Sequence, residues 1–206
     1  SAAALSIPPE SGTIASNFGS YTHFKLEQYI WNLYDDLDKI PRKPHYNLSE
    51  YELEMGMELT QNGVSMIHNI IGKGFIPLDT EVIMGSNKYG YFGQADNIWI
   101  GYVDGKLGLL MTDWKTNKSK NMVDDIRYDD LLPPPLDIIR DNTKGKYMIQ
   151  QILYGILFID MLKGTKYEDL EFFGFRILKL RDTPEVIKIP KSLFNRTLEL
   201  LDKKEW

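Results

Sequence analysis

An acid and a base two residues apart, Asp113 and Lys115, close an apolar run, Leu107-Gly108-Leu109-Leu110-Met111. In a β-strand residues i and i+2 share a face, so the two side chains emerge together. Burying such a pair is costly unless something else satisfies both groups. A divalent cation with a charged substrate would do so; the alternative is a surface ion pair. A second acid stands in Gly93-Gln94-Ala95-Asp96, inside an otherwise apolar and aromatic run from Tyr91 to Ile100. Between the runs, Asp104-Gly105 is a tight-hairpin signal. Asp96 lies eight residues before Asp104 and Asp113 eight after Gly105, so antiparallel pairing sets the two acids opposite each other. Carboxylates that close resist joint ionisation unless they share a metal, and hard oxygen ligands without cysteine point to Mg²⁺ or Mn²⁺. The competing reading makes Asp96 a turn or edge residue.

Two further pairs sit at helical spacing. His23 and Glu27 are four apart, as are Gln150 and Tyr154, and each pair shares a helix face. A helical His is otherwise a surface or satisfied core residue. The Gln150–Tyr154 pair sits on a helix otherwise rich in Ile, Leu and Phe, and buried polar side chains need partners; the pair either serves a site or satisfies internal backbone.

The elements that must position these residues follow from periodicity. A 3.6-residue apolar repeat predicts a helix over 17–37, broken by Ile40-Pro41-Arg42-Lys43-Pro44. Ser49 with Glu52 three residues on is a capping-box signature that opens a second helix, stopped near Ile71 by Gly72 and Gly74. Short runs over 78–84, 91–102 and 107–114 read as strands. Residues 117–145 are polar and irregular, an inserted loop or arch longer than a connection needs. A helix over 147–162, strands over 171–180 and 186–189 and a closing helix over 191–203 complete an α/β chain, a mixed central β-sheet flanked by α-helices. The reading is of one domain over 5–206.

Composition bounds the rest. The 206 residues carry 24 Lys and Arg against 29 Asp and Glu, a net charge of −5, which argues against coating nucleic acid by bulk charge but not against a local basic groove. Cysteine is absent, which removes disulfides, thiolate metal sites and Cys nucleophiles and suits an intracellular reducing compartment. The longest apolar run, 152–162, contains Asp160 and falls short of a membrane span. The first basic residue is Lys25, so neither a signal peptide nor a transit peptide is expected.

Taken together, Gly19/His23, Glu81, Gly93/Asp96, Asp113/Lys115/Thr116 and Gln150/Tyr154 stand in the order of the motifs of the RecB-type branch of the PD-(D/E)XK nuclease superfamily, which the chain resembles over about 19–154. The Asp-Trp-Lys-Thr wording and the compact length also resemble the mitochondrial and viral exonucleases of that branch. The resemblance implies a restriction-endonuclease-like core and metal-dependent phosphodiester hydrolysis. It implies that Asp96 and Asp113 ligate Mg²⁺ or Mn²⁺, with His23 and the Trp114 main-chain carbonyl completing the shell. Lys115 would orient or activate the attacking water, and Glu81 would bind a second metal or support the first. Gln150 and Tyr154 would contact the DNA backbone or brace the site, with Thr116 and Tyr147 on the substrate side.

Lys118 and Lys120 lie just beyond and suit phosphate contacts or are solvated lysines. Among Tyr89, Tyr91, Phe92, Trp99, Tyr102 and Trp114, one or two at most are expected to stack on bases. The lack of Cys separates the chain from members that carry an iron–sulfur cluster. The expected activity is a DNA exonuclease on single strands or duplex ends, in repair, replication or recombination, with proteins of those processes as further partners and no membrane. A structure-specific or non-specific endonuclease, or a non-cleaving nuclease-fold DNA-binding module, is the alternative. The expected setting is the cytoplasm of a bacterial or virus-infected host, with organelle and nucleus open.

Overall fold

In the computed structural model, residues 12–41, 47–118 and 131–203 are described. Lys120 and most of the first half of the 117–145 insertion lie outside the described residues. The chain divides into two compact units, with the boundary between Gln61 and Asn62.

In the amino-terminal unit, α1 spans Gly12–Leu33 and α2, Glu50–Ile71, begins. The expected 17–37 helix thus starts and ends earlier. Asp35 takes a left-handed φ of 53°, which an α-helix cannot continue through, and the Asp36 N–H closes back onto the Trp31 carbonyl at 3.1 Å. The capping box forms as read. Ser49 N and Oγ both donate to Glu52 Oε2 at 2.7 Å, while Glu52 N donates to Ser49 Oγ at 3.3 Å. The same Glu52 carboxylate accepts from Asn17 Nδ2 at 2.8 Å, tying α2 to α1. Gly56 permits the approach: a Cβ there would stand 2.5 Å from the Tyr21 ring.

The second unit is a five-stranded sheet of order β1-β2-β3-β4-β5, with β1 Ile76–Ser86, β2 Tyr91–Val103, β3 Lys106–Lys115, β4 Glu171–Lys179 and β5 Glu185–Lys188. The first three strands form an antiparallel meander, β4 runs parallel to β3, and β5 returns antiparallel. The fold is therefore mixed α/β. The parallel step demands a crossover, supplied by α3, Thr143–Leu162, and α4 is Lys191–Lys203. One sheet face buries Met84, Ala95, Ile98, Leu109, Met111 and Ile177 in a core with Ile152, Ile156 and Leu157 of α3 and Leu193 of α4.

α3 starts four residues before the expected Tyr147. Asn142 caps it by accepting the Gly145 N–H at 2.8 Å, and Gly145 is required because a Cβ would run into the Arg140 carbonyl. The described end of the insertion is ordered into an isolated bridge between Leu131 and Arg140. Among the described residues no helix is long and apolar enough to cross a membrane.

The Glu52 pKa is held below its ordinary value of 4.5, first by the Ser49 hydroxyl and then by the Ser49 N–H and Asn17. A depressed carboxylate contributes stability that is present above its unfolded pKa and lost as pH falls through the folded one. Glu52→Gln is expected to be less stable at neutral pH and to lose less stability between neutral and acid pH than the wild type, read from urea midpoints across that range. Parallel profiles for the two proteins would remove Glu52 from the acid response.

Candidate active site

The β2–β3 hairpin sets the geometry. Asp104 and Gly105 both take left-handed φ values, 50° and 76°, the requirement of a two-residue type I′ turn. That turn fixes the pairing Val103↔Lys106 through Asn97↔Thr112. One further step along the same register brings Asp96 opposite Asp113. At this point the ladder gives way to a side chain: Asp96 Oδ2 accepts the Trp114 main-chain N–H at 2.7 Å. Both acids are buried, Asp96 at 9% exposure and Asp113 at 3%.

Lys115, two residues past Asp113, points to the same side. Its Nζ lies 2.6 Å from Asp113 Oδ2, 3.5 Å from Gln150 Oε1 and 4.4 Å from the centre of the Tyr147 ring, in cation–π range. Gln150 is fixed at its other end, where Nε2 donates to Tyr154 Oη at 3.0 Å. Tyr147 and Tyr154 therefore flank Gln150 on one face of α3, as their spacing predicts. Burial, the strongest single influence, pulls the Lys115 pKa down; the charge and hydrogen bond of Asp113, then the charges of Asp96 and Tyr147, outweigh it, and the net shift is upward. Lys115 is an ammonium here.

Glu81 joins from β1. One of its carboxylate oxygens lies within 4.8 Å of one of Asp96, and its Oε2 accepts from Gln94 Nε2 at 2.7 Å. Its φ of 50° is left-handed, an uncommon conformation for a residue with a side chain, above all inside a strand. The flanking pairs Thr80↔Asn97 and Val82↔Ala95 hold to either side. Strict alternation also fails on β2 at this rung, since Ala95 and Ile98, three apart, both join the core against α3.

Gly93 has a contact reason for its place: a Cβ would overlap the Tyr154 ring. Trp114 is buried on the other side of β3, and Asn97, with its amide oriented to satisfy both neighbours, accepts the Trp114 indole N–H at 2.8 Å. The contacts found for Trp114 engage its N–H groups. Trp99 is likewise core, donating to Thr112 Oγ1 at 2.9 Å, whereas Phe92 and Tyr102 are the exposed aromatics of the expected six.

The structure thus brings Glu81, Asp96, Asp113, Lys115, Tyr147, Gln150 and Tyr154 together. His23 is on α1, in the amino-terminal unit. Thr116 and Lys118 follow directly after β3, half-buried. Three supporting residues had no sequence signal strong enough to single them out: Gln94, which orients Glu81; Asn97; and Asn117, whose Oδ1 accepts from Tyr147 Oη at 3.0 Å. Each is a common polar residue whose partner is remote in sequence.

Asp113 pairs with the Lys115 ammonium, Asp96 lies beside them and Glu81 beside Asp96, so the acids gathered at the site outnumber the cation they meet. All its acidic donors are hard oxygens, which suit a divalent cation such as Mg²⁺ or Mn²⁺. Compared with family models and with curated proteins, the chain matches none.

Removing the ammonium from this buried cluster is expected to be costly. Lys115→Met should lower the unfolding free energy in metal-free buffer by about 3 kcal/mol, and millimolar Mg²⁺ should raise the melting temperature of the variant more than that of the wild type. A variant as stable as the wild type, and indifferent to Mg²⁺, would mean that the acids are solvated and unpaired with any cation.

Proposed function

We propose that the chain is a metal-dependent nuclease that hydrolyses DNA phosphodiester bonds, working as an exonuclease on single strands or duplex ends. One observation carries the reading: Asp96, Asp113 and Lys115 converge from neighbouring arms of one buried hairpin, with Glu81 beside Asp96. Asp96, Asp113 and Glu81 are the groups to hold Mg²⁺ or Mn²⁺; the motif order alone adds His23 and the Trp114 carbonyl. When bound, the ion supplies Lewis acidity toward a phosphoryl oxygen and lowers the pKa of a coordinated water.

The chain's own residues orient and stabilise. Lys115 presents N–H donors and positive charge where negative charge develops on the phosphoryl group, and it does so from a preorganised, partly dry position. Gln150, held by Tyr154, and the Tyr147 ring fix the ammonium from the α3 side; these three act as braces, with their exposed edges toward the DNA strand. The Trp114 N–H orients Asp96. Thr116 and Lys118, continuing from β3, extend the surface toward the phosphate backbone. DNA is the partner this arrangement favours, together with replication or recombination proteins that deliver it. The cysteine-free composition suits an intracellular, reducing setting.

Linear and circular single-stranded DNA with Mg²⁺ or Mn²⁺ test the reading. Digestion of the linear form alone is expected; digestion of both would make the protein an endonuclease, and digestion of neither would leave a DNA-binding module. Lys115→Ala is expected to lower cleavage by at least about a hundredfold while DNA binding persists, and chelation should stop cleavage without changing the circular dichroism spectrum. Full activity of the variant would take Lys115 out of the mechanism.

A further inference from the structure

The sheet has a second face. β3, β4 and β5 alternate, so while Met111, Ile177 and Ile187 face the α3 core, Leu110, Leu178 and Val186 line a cavity of about 370 Å³ on the opposite side, roofed by Met66 and Ile70 of α2. Asp113 and Lys115 share the parity of Met111, so this cavity and the candidate active site occupy opposite faces of the sheet.

Its charge pattern departs from that of the chain. The net charge of the protein is −5, yet among the described residues the charged ones lining the cavity are Lys73, Arg176 and Lys188, with no acidic residue beside them. The three cations come from three separate segments: the turn after α2, β4 and β5. Arg176 is the informative one. Its guanidinium is half-buried, and the hydrogen bond it makes is from Nη1 to the neighbouring Phe175 carbonyl at 2.6 Å. Among the described residues no ion pair forms to Arg176, Lys73 or Lys188. A half-buried guanidinium ordinarily sits against a carboxylate or phosphate, for which its planar fork of donors is shaped. Burial accordingly presses the Arg176 pKa down.

The walls define the other half of the ligand. Phe75 and Phe173 meet edge to face, their centroids 6.1 Å apart, and with the aliphatic residues they leave Asn69 as the sole uncharged polar side chain that the described residues bring to the lining. A nucleobase or sugar buried there would leave most of its polar atoms without partners. A hydrocarbon body would not. We propose that this cavity binds a small amphipathic anion, an acyl or aryl carboxylate whose apolar body enters between Phe75, Phe173 and Leu178 and whose head group pairs with Arg176, flanked by Lys73 and Lys188. The volume lies within the range of small-molecule sites, which are apolar with a few convergent polar groups.

The probes are octanoate and its neutral counterpart octanol, with the full chain. Octanoate is expected to bind saturably by calorimetry, at least tenfold more tightly than octanol, and to raise the melting temperature. Arg176→Met should reduce octanoate affinity at least tenfold and leave octanol affinity unchanged, while Lys115→Ala should leave both as in the wild type. Since Arg176→Met could perturb β4, Lys188→Gln is the second variant, expected to weaken octanoate several-fold with an unaltered melt. Equal affinity for octanoate and octanol, or octanoate affinity indifferent to both substitutions, would overturn the proposal, as would absence of saturable binding.

Discussion

Asp96 accepts the Trp114 N–H one step beyond the last paired rung of the β2–β3 hairpin, and the remaining groups of the site are placed relative to that bond. It substitutes a carboxylate for the main-chain acceptor that the ladder would otherwise supply, so β2 and β3 stay joined while Asp96 is held in a buried position. Two carboxylates this close repel each other unless positive charge lies nearby, and Lys115 supplies part of that charge from the same strand face as Asp113. The sum remains negative. A divalent cation, as proposed above, would offset that imbalance.

The register on which this depends was legible from two residues. Asp104-Gly105 dictates a two-residue loop, and a two-residue loop leaves one pairing, which sets Asp96 against Asp113. Equally readable were the Ser49–Glu52 box and the apolar surface of α3, because each is written in residues close together in sequence. Less readable was where α3 begins. Its apolar period starts at Tyr147, but Asn142 caps a turn whose Lys144, Gly145 and Lys146 carry no amphipathic signal, and Gly145 reads as a helix breaker until the Arg140 carbonyl is seen against it. The end of α1 was misplaced for a similar reason: the left-handed Asp35 has no glycine to announce it.

The two faces of the sheet keep the acid cluster and the cation-lined cavity of the second unit apart. On the α3 side the acids gather where β1 and β2 run beside the end of β3, and there α3 contributes the neutral groups of Tyr147, Gln150 and Tyr154. On the other side the cations gather over an apolar floor. Strand alternation produces the division: Lys115 and Asp113 share one parity on β3, while Arg176, paired with Thr112, takes the other on β4. A shift of one residue between β3 and β4 would exchange the faces and set Arg176 among the carboxylates.

Glu81 shows what holding the acids costs the backbone. A left-handed φ on a residue with a Cβ costs about 1–3 kcal/mol and persists where its surroundings over-determine it. Here they do. Thr80 and Val82 are paired with Asn97 and Ala95, and Gln94 holds the Glu81 carboxylate from the neighbouring strand. The kink falls on the rung shared with Asp96, the same place where β2 stops alternating and turns both Ala95 and Ile98 to the core. Val82 and Met84 of β1 pack toward the α3 core, so strict alternation would turn Glu81 to the opposite face, away from an Asp96 that shares the parity of Ile98. Gathering a third carboxylate onto this rung therefore required a local break in β geometry, which a strand selected for packing alone would have no reason to keep.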